Sequence, residues 1–288
     1  MDATLTFLGT GTSMGVPTLG CDCAVCTSAV SPIPGLPAPD PRNRRTRPSV
    51  LISWANHNVL IDTGPDFHAQ AIRANLRRLD AVLYTHPHAD HILGLDDLRP
   101  LSFKNAPENL PLYADSPTAD TIERIFSYTF DPNSRYPTSA RVTLHRIPAE
   151  PGAAVTLFGI PFQRIPVTHG RHTITGYRFG AAAYLTDLND IPAESLPLLA
   201  NLDLLVLDAL RHAPHPTHAH LAKSLELVAL IAPRRTYFTH MSHDLDHAAT
   251  EAILPPNIRL AYDTLQLPFN IQPPPPTQEA APDMRPSS

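Results

Sequence analysis

The feature that most constrains this chain is a cluster of histidines directly after a short apolar run. The run Ala81–Tyr84 is typical of a buried strand, and His86, His88, Asp90 and His91 follow it within a single turn. Neutral imidazoles and carboxylates bind divalent metals, whereas protonated imidazoles held this close repel one another. A solvated, histidine-rich turn is the alternative, but ligand sites commonly lie at the carboxyl ends of buried strands. The cluster therefore predicts two neighbouring metal ions, one on each side of the turn.

Short apolar runs, which predict strands, outnumber the amphipathic stretches that predict helices, such as Ser116–Phe130 and Ala219–Ile231. This mixture favours an α/β (α+β) fold of two packed mixed sheets with helices outside. We expect one domain over residues 1–270, with a proline- and arginine-rich loop insertion at 29–48. Residues 271–288 carry a run of prolines and few apolar side chains, so we expect a disordered tail there.

Composition narrows the class of partner and the cellular compartment. The net charge of −5 argues against a broad nucleic-acid-binding surface, although the arginine-rich loop at 42–47 is either a local anion site or simply solvated. The sequence contains neither an apolar run long enough for a membrane span nor a secretory signal, so we expect a cytoplasmic protein. In a reducing compartment, the closely spaced Cys21, Cys23 and Cys26 indicate a metal site and not disulfides.

The histidine motif resembles the signature of the metallo-β-lactamase fold superfamily, His-x-His-x-Asp-His after a strand. The resemblance extends over roughly residues 3–265, because His169, Asp187 and His240 each end a later predicted strand, as the superfamily expects. It implies a four-layer αβ/βα sandwich and a brace for the histidine turn, supplied by Asp62 or Asp66. It also implies two ions: one held by His86, His88 and His169, the other by Asp90, His91 and His240, with Asp187 bridging the two.

The cysteine cluster resembles one branch of that superfamily. This branch contains the phosphoribosyl 1,2-cyclic phosphate phosphodiesterase of the carbon–phosphorus lyase pathway, and it shares the segment Thr239–His243 and the N-terminal segment Phe7–Pro17. Three thiolates are one ligand short of the four that a structural zinc requires, and His243 is the candidate for the fourth. The resemblance further implies a homodimer with Zn²⁺ or Mn²⁺ in the active site.

Two such ions lower the pKa of a bridging water, so that a hydroxide is present near neutral pH. The ligands alone suit lactam, thioester and phosphodiester hydrolysis equally. Phosphodiesterase branches place a histidine between the bridging aspartate and the last ligand, and here His218 is the first candidate and His215 the second. His218 is therefore predicted to be catalytic, as the group that contacts the phosphate or protonates the leaving oxygen. The metal ligand Asp90 is the other predicted catalytic residue.

The length of one loop limits the size of the substrate. Family members that process tRNA 3′ ends carry a long arm between the ligands equivalent to His169 and Asp187, and the segment 170–186 has room for one hairpin only. We therefore predict hydrolysis of a small cyclic phosphate, either phosphoribosyl 1,2-cyclic phosphate or a cyclic nucleotide. The alternatives are a tRNA 3′-processing nuclease, a thioester or lactam hydrolase on the same metals, and a non-catalytic metal-binding protein.

Overall fold

Strands form two seven-stranded sheets in the computed structural model, which describes residues 1–29, 40–133 and 135–272. The first sheet has the order β14 (Gln266–Asn270), β1 (Asp2–Gly9), β2 (Ser49–Trp54), β3 (His57–Ile61), β4 (Ala81–Leu83), β5 (Leu110–Ala114) and β6 (Val142–Arg146). The second has the order β13 (Ile258–Leu260), β12 (Arg235–Thr239), β11 (Leu204–Asp208), β10 (Ala182–Leu185), β9 (His172–Phe179), β8 (Ile160–His169) and β7 (Ala154–Leu157). Half of the predicted loop insertion (30–39) and nearly all of the predicted tail (273–288) lie outside the described residues.

Alternating side chains explain why the sheets pack face to face. In β2, Val50 and Ile52 enter the core between the sheets, whereas Leu51 faces the outer side. In β11, Val206 faces the same central core and Leu207 the opposite outer side. Successive residues of a strand point to opposite faces, so apolar residues at every position require a cover on both faces of each sheet. The predicted sandwich of two packed mixed sheets is confirmed.

Helices cover the outer faces. They are α1 (Ala24–Ser28), α2 (Phe67–Arg73), α3 (Ala89–Ile92), α4 (Arg99–Ser102), α5 (Ser116–Ile125), α6 (Ser127–Phe130), α7 (Leu221–Ile231) and α8 (His247–Glu251), with 3₁₀ turns at Pro41–Asn43, Leu95–Leu98, Phe103–Asn105 and Leu196–Leu199. Phe67 and Ile122 pack against the first sheet, and Leu227 packs against the second. None of the described helices is long and apolar enough to cross a membrane.

The predicted helix Ser116–Phe130 is two helices in the structure. The Asp115 carboxylate caps α5 by accepting a hydrogen bond from the Thr118 N–H at 3.1 Å. The chain leaves helical geometry at Phe126, where φ is −103° and ψ is 38°, and α6 begins at the next residue. The Phe126 ring is buried in the outer core of the first sheet, so burial of this side chain accompanies the break.

Both sheets present the ends of their parallel strands at one edge of the sandwich. The strands β3 to β6 are parallel in the first sheet, and β10 to β13 are parallel in the second. Two hydrogen bonds join the sheets here: the Tyr177 hydroxyl donates to the Tyr84 carbonyl at 2.7 Å, and the Thr175 N–H donates to the Thr85 carbonyl at 3.0 Å. The loops that follow these strands therefore meet at one place.

Candidate metal centre

Side chains from distant parts of the chain meet at this edge. They form two groups, and within each group the candidate ligand atoms lie within 4.8 Å of one another. The first group is His86, His88 and His169, and the second is Asp90, His91, Asp187 and His240. The turn after β4 contributes to both groups, and β8 ends in His169. His240 directly follows β12, and Asp187 is the second residue after β10. The structure thus brings together all seven residues predicted for the binuclear site.

The second group is tightly packed around Asp187. One Asp187 oxygen lies 3.2 Å from His91 Nε2, and the other lies 3.1 Å from His240 Nε2. The Asp90 carboxylate lies 3.3 Å from the same His91 nitrogen. Asp187 also reaches the first group, because its Oδ1 is 3.8 Å from His86 Nε2. Its position between the two groups is the one that a bridging carboxylate requires.

Several of these atoms are buried and form no hydrogen bond of good geometry, although the contacts above bring some of them within 3.1–3.3 Å of a charged neighbour. They are His86 Nε2, Asp90 Oδ2, His91 Nε2 and His240 Nε2. Leaving a polar atom buried and unpaired costs about 1–3 kcal/mol, so a cluster of such atoms requires an explanation. Divalent cations accept imidazole nitrogens and carboxylate oxygens together. The donor set and its unpaired atoms therefore fit a pair of divalent ions.

The charges of the site support the same conclusion. Burial lowers the pKa of His169 to about 4, so this imidazole is neutral and can act as a ligand. Burial also works against a charged His240, but the carboxylates of Asp187 and Asp90 outweigh it and raise the pKa to about 10. Without a cation, the buried carboxylates therefore retain a proton on a neighbouring ring. Metal binding at such a site releases that proton.

Three side chains of the site stand on left-handed backbone. The φ angles are 65° at Asp62, 58° at Asp187 and 58° at His240. A residue other than glycine costs of order 1 kcal/mol or more in this region, and such residues are frequent at functional sites. Asp62 and His240 directly follow a strand and Asp187 is the second residue after one, so the left-handed residue turns the chain sharply where the side chain enters the site.

Buried hydrogen bonds hold the histidine turn. The Asp62 carboxylate lies 2.7 Å from His91 Nδ1 and also accepts hydrogen bonds from the Thr85 N–H and hydroxyl, each at 2.8 Å. Asp66, the other candidate brace, instead accepts from the Arg47 N–H at 2.9 Å. Gly64 lets the turn approach closely, because a Cβ there would lie 2.2 Å from the Asp90 carbonyl oxygen. Of the two candidates, only Asp62 contacts the turn.

His218 forms part of the wall of the cavity above this centre, which has a volume of about 700 Å³. Its ring lies 4.8 Å from the rings of both His169 and His240. The fully buried Asp208 carboxylate lies 3.0 Å from His218 Nδ1. His215, the second candidate, is one ring further away, 5.1 Å from His218. The geometry therefore favours His218.

Two contributors were not predicted from the sequence. Asp208 ends β11 and contacts His218, but its only signal was its place after an apolar run. The Thr217 carbonyl lies 2.9 Å from His169 Nδ1, which fixes the orientation of that ring. A backbone carbonyl carries no sequence signal, so this contact could be found only in the structure.

The cysteine cluster forms a second candidate metal site. His243 Nδ1 lies 3.1 Å from Cys21 Sγ and 3.4 Å from the sulfurs of Cys23 and Cys26. Zinc in tetrahedral coordination, with bonds of about 2.3 Å to sulfur and 2.0 Å to nitrogen, separates the two ligands by about 3.5 Å. The thiols are not paired in disulfides. These four side chains fit one structural zinc.

The arginine-rich loop at 42–47 is neither a uniform anion site nor simply solvated. Arg45 is buried and donates to the Ser242 and Leu245 carbonyls at 2.8 and 2.7 Å, which fixes the loop that carries His243. Burial lowers the pKa of Arg45 to about 10, so it remains charged at neutral pH. Arg47 is paired with Asp66 at 3.2 Å. These arginines therefore have structural roles.

A family model described as "Beta-lactamase superfamily domain" matches residues 57–241. The chain is 36% identical over 262 residues to an octanoyltransferase of Porphyromonas gingivalis. This match covers 90% of the chain but only 50% of the relative, so the chain spans about half of the relative's length. It is 30% identical over 195 residues to a ribonuclease Z of Mycobacterium bovis, covering 62% of this chain and 68% of the relative.

A solved structure described as a new diphosphatase from the PhnP family is similar over nearly the whole chain. The identity is 49%, the TM-score is 0.85, and the match covers 94% of this chain and 99% of the other. The short form of human tRNase Z superposes with a TM-score of 0.64 over 94% of this chain and 99% of the other at 19% identity, which indicates a shared fold.

Proposed function

Because this chain belongs to the β-lactamase superfamily, in a branch similar to the PhnP family, we propose that it is a binuclear metal-dependent hydrolase of small phosphodiesters. The observation that carries the proposal is a set of buried imidazole nitrogens and a carboxylate oxygen that form no hydrogen bond and lie beneath a cavity lined by His218. His86, His88 and His169 would hold one ion, and Asp90, His91 and His240 the other, with Asp187 between them. Bound ions would lower the pKa of a coordinated water and neutralise charge on the phosphate.

The protein's own contribution is to place a proton donor beside the phosphate. The Asp208 carboxylate lies 3.0 Å from His218 Nδ1, where it can accept a hydrogen bond from that nitrogen and so orient the ring. The other ring nitrogen, Nε2, has no hydrogen-bond partner among the described residues and can hold the proton that the leaving oxygen needs. A positioned imidazole contributes about 10²–10⁴-fold as an acid or base. A thiolate leaves without a proton, so this pair favours phosphodiester hydrolysis over thioester hydrolysis on the same metals.

The structure favours a small substrate. The segment between His169 and Asp187 is fully described and consists of β9, β10 and two tight turns. A tRNA-gripping arm does not fit within it. We therefore propose a cyclic phosphate as the substrate class, with phosphoribosyl 1,2-cyclic phosphate and cyclic nucleotides as the first compounds to test.

A second candidate function is hydrolysis of a diphosphate. It is favoured by the 49% identity to the PhnP-family diphosphatase. The same metals would serve it, since both reactions transfer a phosphoryl group with charge developing on its oxygens. The two functions differ in the leaving group, which is a sugar hydroxyl in one and a phosphate in the other.

The experiment is a substrate panel on protein loaded with Zn²⁺ or Mn²⁺. It compares ribose 1,2-cyclic phosphate, 2′,3′- and 3′,5′-cyclic nucleotides, a dinucleoside diphosphate, a tRNA precursor and a thioester. We expect His218→Ala to lower turnover of the cyclic phosphates at least tenfold, while His212→Ala, an exposed histidine of the same segment, leaves it unchanged. A smaller effect of His218→Ala would contradict the role of this residue, and preferential cleavage of the tRNA precursor would contradict the substrate class.

The same preparations test the remaining family properties. We propose Zn²⁺ or Mn²⁺ in the binuclear centre, one zinc in the cysteine site and a homodimer. Elemental analysis identifies the metals, and light scattering coupled to size exclusion gives the mass of the particle. A monomer of 31.5 kDa would contradict the proposed dimer.

A further inference from the structure

The tip of the β8–β9 hairpin stands at the edge of the metal-site cavity. His169 pairs with His172, so Gly170 and Arg171 form a two-residue turn. Gly170 has a φ of 61°, and its N–H donates to Asn189 Oδ1 at 2.7 Å. A Cβ at Gly170 would lie 2.8 Å from the Thr217 side chain, so the turn is packed against the loop that carries His218. The backbone of Arg171 is therefore held in place.

The guanidinium of Arg171 has no partner among the residues that the structure describes. Its side chain makes no ion pair or hydrogen bond within the described part of the chain, whereas Arg47 pairs with Asp66 and Arg211 donates to nearby carbonyls. Among the described residues, it is the only lysine or arginine lining the cavity of about 700 Å³ above the metal centre. It also lines a second cavity of about 360 Å³, which shares His88 and His169 with the first. An unpaired cation on the rim of a site for phosphate esters is suited to bind an anionic part of the substrate.

The position of Arg171 limits which phosphate it can bind. The scissile phosphate would be placed by the metal ligands at the base of the cavity, so the rim is left for a different group. The second cavity is lined mainly by apolar groups such as Pro87, Pro117 and Ile174. Its carboxylate, Asp115, would repel an anion placed inside this cavity. A second anionic group is therefore expected at the rim, next to Arg171, and not deep in the second cavity.

We propose that Arg171 recognises a second phosphoryl group of the substrate, so that the enzyme prefers small substrates with two phosphoryl groups over those with one. This inference rests on the proposed function, because it assumes that the scissile phosphate lies over the metal ligands. The second group is either a phosphomonoester elsewhere on a cyclic phosphate or the neighbouring phosphoryl group of a diphosphate. A guanidinium binds both through the same pair of N–H donors.

The experiment uses matched substrates on the metal-loaded protein. Adenosine 2′,3′-cyclic phosphate is compared with its 5′-phosphorylated form, and a dinucleoside diphosphate is compared with bis(p-nitrophenyl) phosphate. The variants are Arg171→Gln, Arg171→Lys and, as the control, Arg124→Gln, which removes an exposed arginine of α5 that lines neither cavity. If kcat/KM is higher only for the phosphorylated cyclic nucleotide, the group that Arg171 binds is a phosphomonoester. If kcat/KM is higher only for the diphosphate, the group is the neighbouring phosphoryl group.

We expect the wild type to favour the substrate with two phosphoryl groups by about tenfold or more in kcat/KM, mainly through KM. Arg171→Gln should abolish this preference and lower turnover of bis(p-nitrophenyl) phosphate far less, whereas Arg124→Gln should change neither. Arg171→Lys should retain part of it, because the charge remains but the two-pronged geometry is lost. The preference should weaken with added salt, since an exposed charge is screened. A merely structural role would lower turnover of all substrates equally and without this dependence on salt.

Two results would overturn the inference: a wild type with equal kcat/KM for the matched substrates, or an Arg171→Gln variant that retains the preference. Binding gives an independent readout, in which calorimetry compares adenosine 3′,5′-bisphosphate with adenosine 3′-phosphate on wild type and Arg171→Gln. If the loaded wild type hydrolyses none of the substrates, the proposed function fails. The role of Arg171 is then decided by whether Arg171→Gln removes tighter binding of the bisphosphate.

Discussion

Replacing Asp208 with asparagine should slow the enzyme by removing a charge that acts through His218. The buried carboxylate contacts His218 Nδ1 at 3.0 Å, and asparagine preserves its shape but not its charge. A hydrogen bond to a charged group is worth about 1.5–3 kcal/mol, and 1.36 kcal/mol corresponds to tenfold in rate. We therefore expect kcat on a cyclic nucleotide to fall about 10–100-fold. The Ser224 hydroxyl bonds the Asp208 backbone carbonyl at 2.7 Å, so the local fold should persist.

The assay compares two leaving groups. A sugar hydroxyl needs a proton to leave, whereas nitrophenolate leaves without one, so Asp208→Asn should lower cleavage of bis(p-nitrophenyl) phosphate by no more than about threefold. The double variant Asp208→Asn/His218→Ala should be no slower than His218→Ala alone, because Asp208 acts through that imidazole. Metal content is measured in parallel, since Asp208 Oδ1 also lies 3.7 Å from His240 Nδ1. Equal losses on both substrates, or additive losses in the double variant with full metal content, would refute the reasoning.

Three further substitutions test a ligand and two supporting residues of the metal sites. Asp62→Asn should weaken binding of the ion at His91 by about 10–100-fold in a chelator competition, because the carboxylate orients that imidazole; unchanged affinity would contradict this. Cys26→Ser should lower the zinc content by about one ion per chain and lower Tm, while full zinc content would argue against the cysteine site. Arg45→Met should lower the free energy of unfolding, measured in urea, by about 3 kcal/mol, because two buried carbonyls lose their hydrogen-bond donor. A loss below about 1 kcal/mol would show that these carbonyls find other partners.

The sandwich could be predicted because its strands carry apolar residues at alternating or successive positions. Val50 to Ile52 and Leu204 to Leu207 are such runs, and both are buried strands in the structure. The break at Phe126 could not be predicted, because the apolar spacing of Ser116–Phe130 suits one helix, and burial of Phe126 in the core depends on the packed sheet. Local patterns identify elements, whereas their ends are set by tertiary contacts.

The candidate ligands of the binuclear centre could be predicted because each one lies at or shortly after the end of an apolar strand. The supporting contacts could not, since they join residues that are far apart in the sequence. Asp62 and Asp66 both follow β3, and only the folded chain shows that Asp62 contacts His91 whereas Asp66 contacts Arg47. The left-handed backbone of Asp187 and His240 likewise has no sequence signal, because neither residue is glycine.

The most direct test of the account is the number of metal ions bound per chain. Zinc-loaded protein is dialysed and analysed by elemental mass spectrometry beside Cys26→Ser and His240→Ala. The account predicts about three ions in the wild type and about two in each variant, because one change removes the cysteine-site ion and the other weakens a single ion of the pair. About one ion per wild-type chain, lost in Cys26→Ser but not in His240→Ala, would contradict the binuclear centre.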